Sequence, residues 1–229
     1  LLQGSDVVQE DFVNQPKNIE IGAGNTSGSV TVTINDDNLI EGTESVTASI
    51  NVLPEGIDLA PQSEATFQIL DNDFASIQLS GTETAMPEGN QPAQFSIKLD
   101  TGTLELRKDL VIDLSLDPGN VAIGTFGDSS SPLIPGQDFR IFPDQITIQA
   151  GTPNGDQRNV EVAFLSDSLI EGEETATVSI TSSSTIASNT FQDSHRLKIQ
   201  DQNIPIIRFT TTDTTIKEGA PKQSIGVQL

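Results

Sequence analysis

The sequence predicts an all-β chain built as tandem antiparallel β-sandwiches, with almost no helix. Three observations carry this. Apolar and polar residues alternate over short runs: Val30, Val32 and Ile34 with Thr31, Thr33 and Asn35, then Val46, Ala48 and Ile50 with Thr47 and Ser49. A period of two marks strands with one buried face. The branched and apolar content is mainly Val, Ile, Thr and Phe, which suits strands, and no window sustains an apolar stripe at helical spacing. The strand-like runs are short and are separated by Gly, Pro, Asn and Asp, the punctuation of a sandwich.

One stretch organises the rest. Asp36-Asp37-Asn38-Leu39-Ile40-Glu41-Gly42-Thr43-Glu44 recurs 130 residues later as Ser166-Asp167-Ser168-Leu169-Ile170-Glu171-Gly172-Glu173-Glu174. Between positions 37–50 and 167–180, nine of fourteen residues are identical. Each copy lies between two alternating runs, so it is a loop joining two strands. Each holds four carboxylates in nine residues. Two such charges about 4 Å apart repel by roughly 1 kcal/mol in water, and by more where solvent is excluded. With 33 Asp+Glu against 11 Lys+Arg, the chain's own cations cannot neutralise the excess. A hard divalent cation can. Calcium takes about 6–8 oxygen ligands in loose geometry, which suits an acidic loop better than magnesium or zinc does. The competing reading is a solvated hairpin whose charges keep a sheet edge soluble; the two matched copies favour the metal.

Taken in order, the elements support this organisation. After Asp11-Phe12 and the turn Gly22-Ala23-Gly24-Asn25, strands are expected at 29–34, 45–53 and 65–70, ending in Asp71-Asn72-Asp73. A new unit opens at 75–79, passes the turn Pro87-Glu88-Gly89, and continues through strands 93–99 and 110–116. Residues 117–137, rich in Gly, Ser and Pro, read as a long loop. Asp138-Phe139 matches Asp11-Phe12; strands at 145–149 and 159–165 lead into the second acidic loop; strands at 175–181 and 196–200 close on Asp201-Gln202-Asn203. A third unit opens at Pro205, with Glu218-Gly219 standing 130 residues after Glu88-Gly89. The expected division is 1–73, the later part of one unit; 75–203, a complete unit; and 204–229, the opening strands of a third. A repeat this long is a domain with its own core, not a solenoid turn. The chain reads as a piece of a longer array.

Composition narrows the function. A net charge of −22 excludes a nucleic-acid backbone as partner and disfavours anionic membranes. No apolar stretch is long enough to span a bilayer. The absence of cysteine removes disulfide staples, thiolate metal sites and cysteine nucleophiles. His195, the only histidine, follows Asp193-Ser194, but neighbours in sequence do not make a catalytic triad. A glycosidase using paired carboxylates needs an aromatic-lined cleft, and the chain has no Trp and no Tyr. It is therefore read as a non-enzyme. Asn25-Thr26-Ser27 is an N-glycosylation sequon, which fits an extracellular or cell-surface setting.

The ordered set of Glu88-Gly89, Gly136-Gln137-Asp138-Phe139, the loop from Asp167 to Glu174, and Asp201, with the earlier copies at Asp11-Phe12, Asp36 to Glu44 and Asp71-Asn72-Asp73, resembles the Calx-β domain family. The resemblance covers essentially the whole chain. It implies seven-stranded immunoglobulin-like sandwiches that bind Ca²⁺ in loops at one end. By position, it implies ligands Asp11, Asp36, Asp37, Glu41, Glu44, Asp71 and Asp73 in the first unit, with Glu88, Asp138, Asp167, Glu171, Glu174 and Asp201 in the second. Ser166, Gln202 and Asn203 stand where the family pattern has acids, so the second site is expected to bind more weakly.

The favoured function is a calcium-stiffened repeat of an extracellular adhesion, aggregation or matrix protein. Neighbouring Calx-β repeats would be its first partners; whether another copy or a cell-surface glycan follows is left open. The alternative is a calcium-sensing regulatory domain of a transport or signalling protein. A further expectation is that the opening strands of one copy could complete the first unit of another by strand addition.

Overall fold

The computed structural model describes residues 2–4, 11–14, 18–50, 53–120, 122–128, 130–181, 186, 194–211, 215–219, 222 and 224–229. Among these described residues, nineteen strands run in order. The first unit contains β1 (Leu2–Gly4), β2 (Phe12–Asn14), β3 (Thr33–Ile34), β4 (Leu39–Ile40), β5 (Glu44–Ser49) and β6 (Glu64–Ile69). Next come β7 (Ser76–Leu79), β8 (Glu83–Pro87), β9 (Ala93–Asp100), β10 (Glu105–Leu106), β11 (Leu110–Asn120) and β12 (Gly124–Phe126). They are followed by β13 (Phe139–Phe142), β14 (Gln145–Ile148), β15 (Gln157–Phe164), β16 (Glu173–Ile180) and β17 (Ser194–Gln200). The last two are β18 (Arg208–Phe209) and β19 (Val227–Gln228). Among the described residues, no helix is long and apolar enough to cross a membrane.

Two five-stranded sheets, β12-β13-β15-β9-β7 and β14-β11-β16-β17-β8, face each other. The period-two pattern decides the facing. Phe95, Ile97 and Leu99 of β9 and Leu197 and Ile199 of β17 are buried, while Gln94, Lys98 and Arg196 on the opposite faces are exposed. Ile77, Ile141, Val160 and Val162 meet Leu110, Ile112, Ile148 and Val178 in the same core. Each fully buried aliphatic side chain contributes about 1.5–3 kcal/mol.

The expected antiparallel sandwich describes the inner pairs. At the margins, β8 joins β17 and β12 joins β13 in parallel. In place of the seven strands implied by resemblance, residues 76–200 supply ten sheet strands and the short β10. The expected loop at 117–137 is partly strand. β11 runs on to Asn120 through a register shift between Asp117 and Asn120, a bulge that absorbs Pro118-Gly119. β12 then lies beside β13, with the Phe139 ring on Gly124, where an added Cβ would come within 2.0 Å of it.

The copies repeat their registers. Glu44 opposes Ile69 as Glu174 opposes Ile199. Phe12 opposes Ile34 as Phe139 opposes Phe164. Phe209 opposes Val227 as Leu79 opposes Ile97. The strand expected at 29–34 is only Thr33–Ile34. Its counterpart β15 is held on both sides, by β13 and β9, whereas β3, among the described residues, pairs with β2 alone. Likewise Ile207, Phe209, Ile225, Val227 and Leu229 are exposed, although their counterparts Ile77, Leu79, Phe95, Ile97 and Leu99 form core.

Candidate metal centre

Three segments distant in sequence converge at one tip of each acidic-loop unit. At the first tip, the loop between β4 and β5 brings Glu41, the start of β5 brings Glu44, and the residue before β2 brings Asp11. One carboxylate oxygen from each lies within 4.8 Å of the others. Asp11 and Glu44 are buried. Together with Asp37 and Asp71 they line a cleft of about 60 Å³. Asp36 and Asp73 sit beside this group: Asn72 donates to Asp36 (3.1 Å), and the charges of Asp71, Asp36 and Asp37, after burial, hold Asp73 above its ordinary range.

At the second tip, Glu88, Asp138 and Glu171 place oxygens within 4.8 Å of one another. Glu88, Asp138 and Glu174 are buried. The charges of Asp201 and Asp167 also bear on Glu88. All six acids named for the second unit therefore share one field, as do the seven named for the first.

The closing aspartate does the same work at both tips. Asp71 Oδ2 accepts hydrogen bonds from the backbone N–H of Glu41 (2.8 Å) and Gly42 (2.7 Å), and its Oδ1 accepts from Asp73 N (2.8 Å). Asp201 Oδ2 accepts from Glu171 N (2.7 Å) and Gly172 N (3.1 Å), and its Oδ1 from Asn203 N (2.6 Å). Gly42 and Gly172 sit at φ 74° and 89°, the left-handed region that turns adjacent N–H groups toward one anion. These donors lower the Asp201 carboxyl. Asp71 and Asp201 thus tie the segment leaving the last strand to the acidic loop. Asp37 and Asp167 each brace the loop from within, accepting from Leu39 N (2.9 Å) and Leu169 N (2.7 Å).

Burial, then neighbouring carboxylates, raises Glu44, Glu88 and Glu174 each to about 7. Burial also raises Glu41, Asp138 and Glu171. For Asp138 the backbone N–H of Ile123 opposes the rise. Asp138 and Glu174 face each other and can bond only while one keeps a proton; with both ionised, neither has a donor there. Glu88 Oε2, Asp138 Oδ1, Asp167 Oδ2 and both Glu174 oxygens are buried and have no hydrogen-bond partner among the described residues. Buried polar atoms are nearly always satisfied, so this orphaned oxygen set fits a hard cation.

Other residues lie apart. His195 is buried: its Nδ1 donates to Gly81 O (3.3 Å), its Nε2 accepts from the Thr84 hydroxyl (2.8 Å), and Phe95 stacks on it at 4.4 Å. Burial lowers its pKa, and it serves as a neutral core side chain. Asn25 is exposed, its N–H closing a turn on Gly22 O (2.9 Å).

Three features escaped the sequence reading. Arg107 and Lys108, which follow β10, place positive charge near Glu41 and Glu44. Gln137 braces the Asp138 segment by donating to Thr125 Oγ1 (2.6 Å) and Phe139 O (3.1 Å). Leu39–Ile40 is a strand, paired in parallel with Glu105–Leu106. The available signal was an apolar pair kept twice inside an otherwise acidic loop.

A convergent acidic tip is thus present in two copies, the second of them on a β-sandwich. The Calx-beta domain profile matches residues 4–73 and 134–207, more than half of the chain, and the chain belongs to the Calx-beta domain family. No curated protein matches it. Among solved structures it is similar to the apo form of the Calx CBD1 domain, with TM-score 0.41 and 11% identity over 57% of this chain and 100% of that one. It is also similar to CBD12 from CALX1.2, with TM-score 0.38 and 13% identity over 66% and 56% of the two chains. The periplasmic chaperone SfaE gives TM-score 0.36 and 14% identity over 56% and 60%. The chain therefore spans little more than half the length of CBD12 and of the chaperone.

Proposed function

We propose that each acidic tip binds calcium, and that calcium there stiffens the joint between successive units of an extracellular adhesion, aggregation or matrix protein. The observation that carries the binding is the set of orphaned oxygens on Glu88, Asp138, Asp167 and Glu174. Glu88, Asp138, Asp167, Glu171, Glu174 and Asp201 would hold the ion at the second tip; Asp11, Asp36, Asp37, Glu41, Glu44, Asp71 and Asp73 would do so at the first. The ion supplies positive charge where the chain has little of its own. The protein's part is to gather the carboxylates and brace the loops through Asp71 and Asp201.

The stiffening follows from where the braces lie. Asp71-Asn72-Asp73 leaves β6 and runs directly into β7. A cation shared by the acidic loop and this linker restricts the linker's rotation. The sequon at exposed Asn25 and the repeated units support the extracellular setting.

Membership in the Calx-beta family also favours a second reading, a calcium-sensing regulatory domain. Titration calorimetry and small-angle scattering with and without EDTA separate the two. Micromolar or weaker affinity with a rod that loosens on chelation supports stiffening; submicromolar affinity without a change in dimensions supports sensing. No calcium heat at all would remove both.

A further inference from the structure

We propose that the Leu-Ile pair inside the acidic loop is a docking strand for the unit that follows it, in use at Leu39-Ile40 and open at Leu169-Ile170. The first copy shows the docked form. Glu105 N donates to Asn38 O (3.0 Å) and Arg107 N to Ile40 O (2.9 Å), so β4 adds in parallel to β10 of the next unit. Ile40 is fully buried there, within the same core as Leu106 and Leu110. The other edge of β10 is already taken, because Gly151 N donates to Leu106 O (2.7 Å). β10 thus offers one free edge, and the loop of the preceding unit fills it.

The second copy has the same Leu-Ile-Glu-Gly sequence in the same braced loop. Yet Leu169 is 47% exposed and Ile170 54% exposed, against 0% for Ile40. Among the described residues, no hydrogen bond engages the carbonyls of Ser168 or Ile170, the counterparts of those on Asn38 and Ile40. The contact made at the second tip, Asn203 Nδ2 to Leu169 O (2.6 Å), leaves both of those carbonyls available.

Charge identifies the occupant. The docked loop meets Arg107-Lys108, whose charges oppose those of Glu41 and Glu44. Among the described residues, the charges that act most on Glu171 and Glu174 are those of other carboxylates, and none is basic. The partner that fits Leu169-Ile170 is therefore another Calx-beta unit, presenting a Glu-Leu edge followed by paired basic residues. With a 130-residue repeat, the following unit of an array is the one placed to supply it.

The test uses the full chain with its own docking strand withdrawn. Ile40→Asp frees the edge at Glu105–Leu106. A peptide of residues 166–174 is then titrated into the ¹⁵N-labelled variant to millimolar concentration, in EDTA and again in calcium. The expected result is shifts confined to the amides around Glu105, Leu106 and Gly151. They should be absent from the unaltered chain, whose edge Ile40 fills, and absent with an Ile170→Asp peptide. A tethered strand experiences an effective concentration in the millimolar range. No shift in either buffer would therefore overturn the proposal, as would equal shifts in the unaltered chain. Shifts in either buffer support it, whether or not calcium binds. If Ile40→Asp loses its dispersed spectrum, Ile40→Ala replaces it. Hydrogen exchange on the unaltered chain adds an independent reading: fast exchange at Glu105 and Arg107 would also overturn the docking, and slow exchange would support it.

Discussion

The two acidic tips share a motif and a brace but differ in their surroundings. The first carries Asp36 and Asp73 where the second has Ser166 and Asn203. The first also has Ile40 seated in the next unit, with Arg107 and Lys108 beside its carboxylates. The second has its Leu-Ile pair exposed and, among the described residues, only carboxylates as the main charges acting on Glu171 and Glu174. A tip's electrostatics are thus set partly by its own loop and partly by the unit it touches.

The sharpest way to break the comparison is to silence one tip. Asp138→Asn should abolish the second tip's calcium heat and leave the first unchanged, with Asp11→Asn giving the reverse. The stability effect should change sign with calcium. In EDTA the asparagine removes a buried charge whose Oδ1 has no donor among the described residues, and its own oxygen still accepts from Ile123 N–H. The unsatisfied group costs about 1–3 kcal/mol, and a domain of this size shifts by about 2–4 °C per kcal/mol. Melting should therefore rise by several degrees in EDTA and fall in calcium. A fall in both would show that the Asp138 charge is compensated by something other than an ion.

The next effect is on pH. Glu44, Glu88 and Glu174 are each raised to about 7. Between the ordinary carboxyl range near 4.5 and about 7, the chelated folded state binds more protons than the unfolded state. Its stability must then fall as pH rises through that window. Calcium binds the ionised form and should flatten the slope. Melting in EDTA at pH 5, 6 and 7 checks this; stability that rises with pH would reverse the sign and contradict the raised values.

A smaller effect separates loop from surroundings. Ser166 and Asn203 remove two charges and Glu88 restores one, so the second tip, with six acids against seven, should be the weaker one. Ser166→Asp with Asn203→Asp should recover most of that difference in a calorimetric titration, although Asn203 also holds Leu169 O and its loss should loosen the loop. No gain would place the difference in the neighbouring unit instead.

Much of this was legible in the sequence, for definite reasons. Phe95, Ile97 and Leu99 alternate with polar residues, and β9 follows that pattern. The acids repeat at fixed spacing, and each tip gathers them. What stayed hidden depends on partners distant in the chain. β12 exists because the Phe139 ring covers Gly124, and nothing local in Gly124-Thr125-Phe126 announces a strand. β4 is strand only because β10 offers an edge, and the identical Leu169-Ile170 forms none. Residues 29–32 alternate as a strand should, but the structure pairs only Thr33–Ile34, since alternation records a buried face and cannot supply the neighbouring strand.

The smallest effect tests whether the following unit tunes the first tip. Arg107 and Lys108 offset part of the charge on Glu41 and Glu44, and so compete with any bound cation. Both cations lie at the surface, where one pair is worth about 0.2–1 kcal/mol. Arg107→Gln with Lys108→Gln should therefore tighten calcium binding at the first tip by roughly two- to fivefold, since 1.4 kcal/mol is tenfold. The same change should lower melting slightly in EDTA, where the two cations offset part of the repulsion among the carboxylates. An Asp138→Asn background isolates the first tip's titration. The gain should shrink as salt rises, because exposed charges are screened beyond about 10 Å at 0.1 M. A gain that ignores salt would point to a packing change at the docked edge, and weaker binding would mean that Arg107 and Lys108 hold the loop in place more than they oppose the ion.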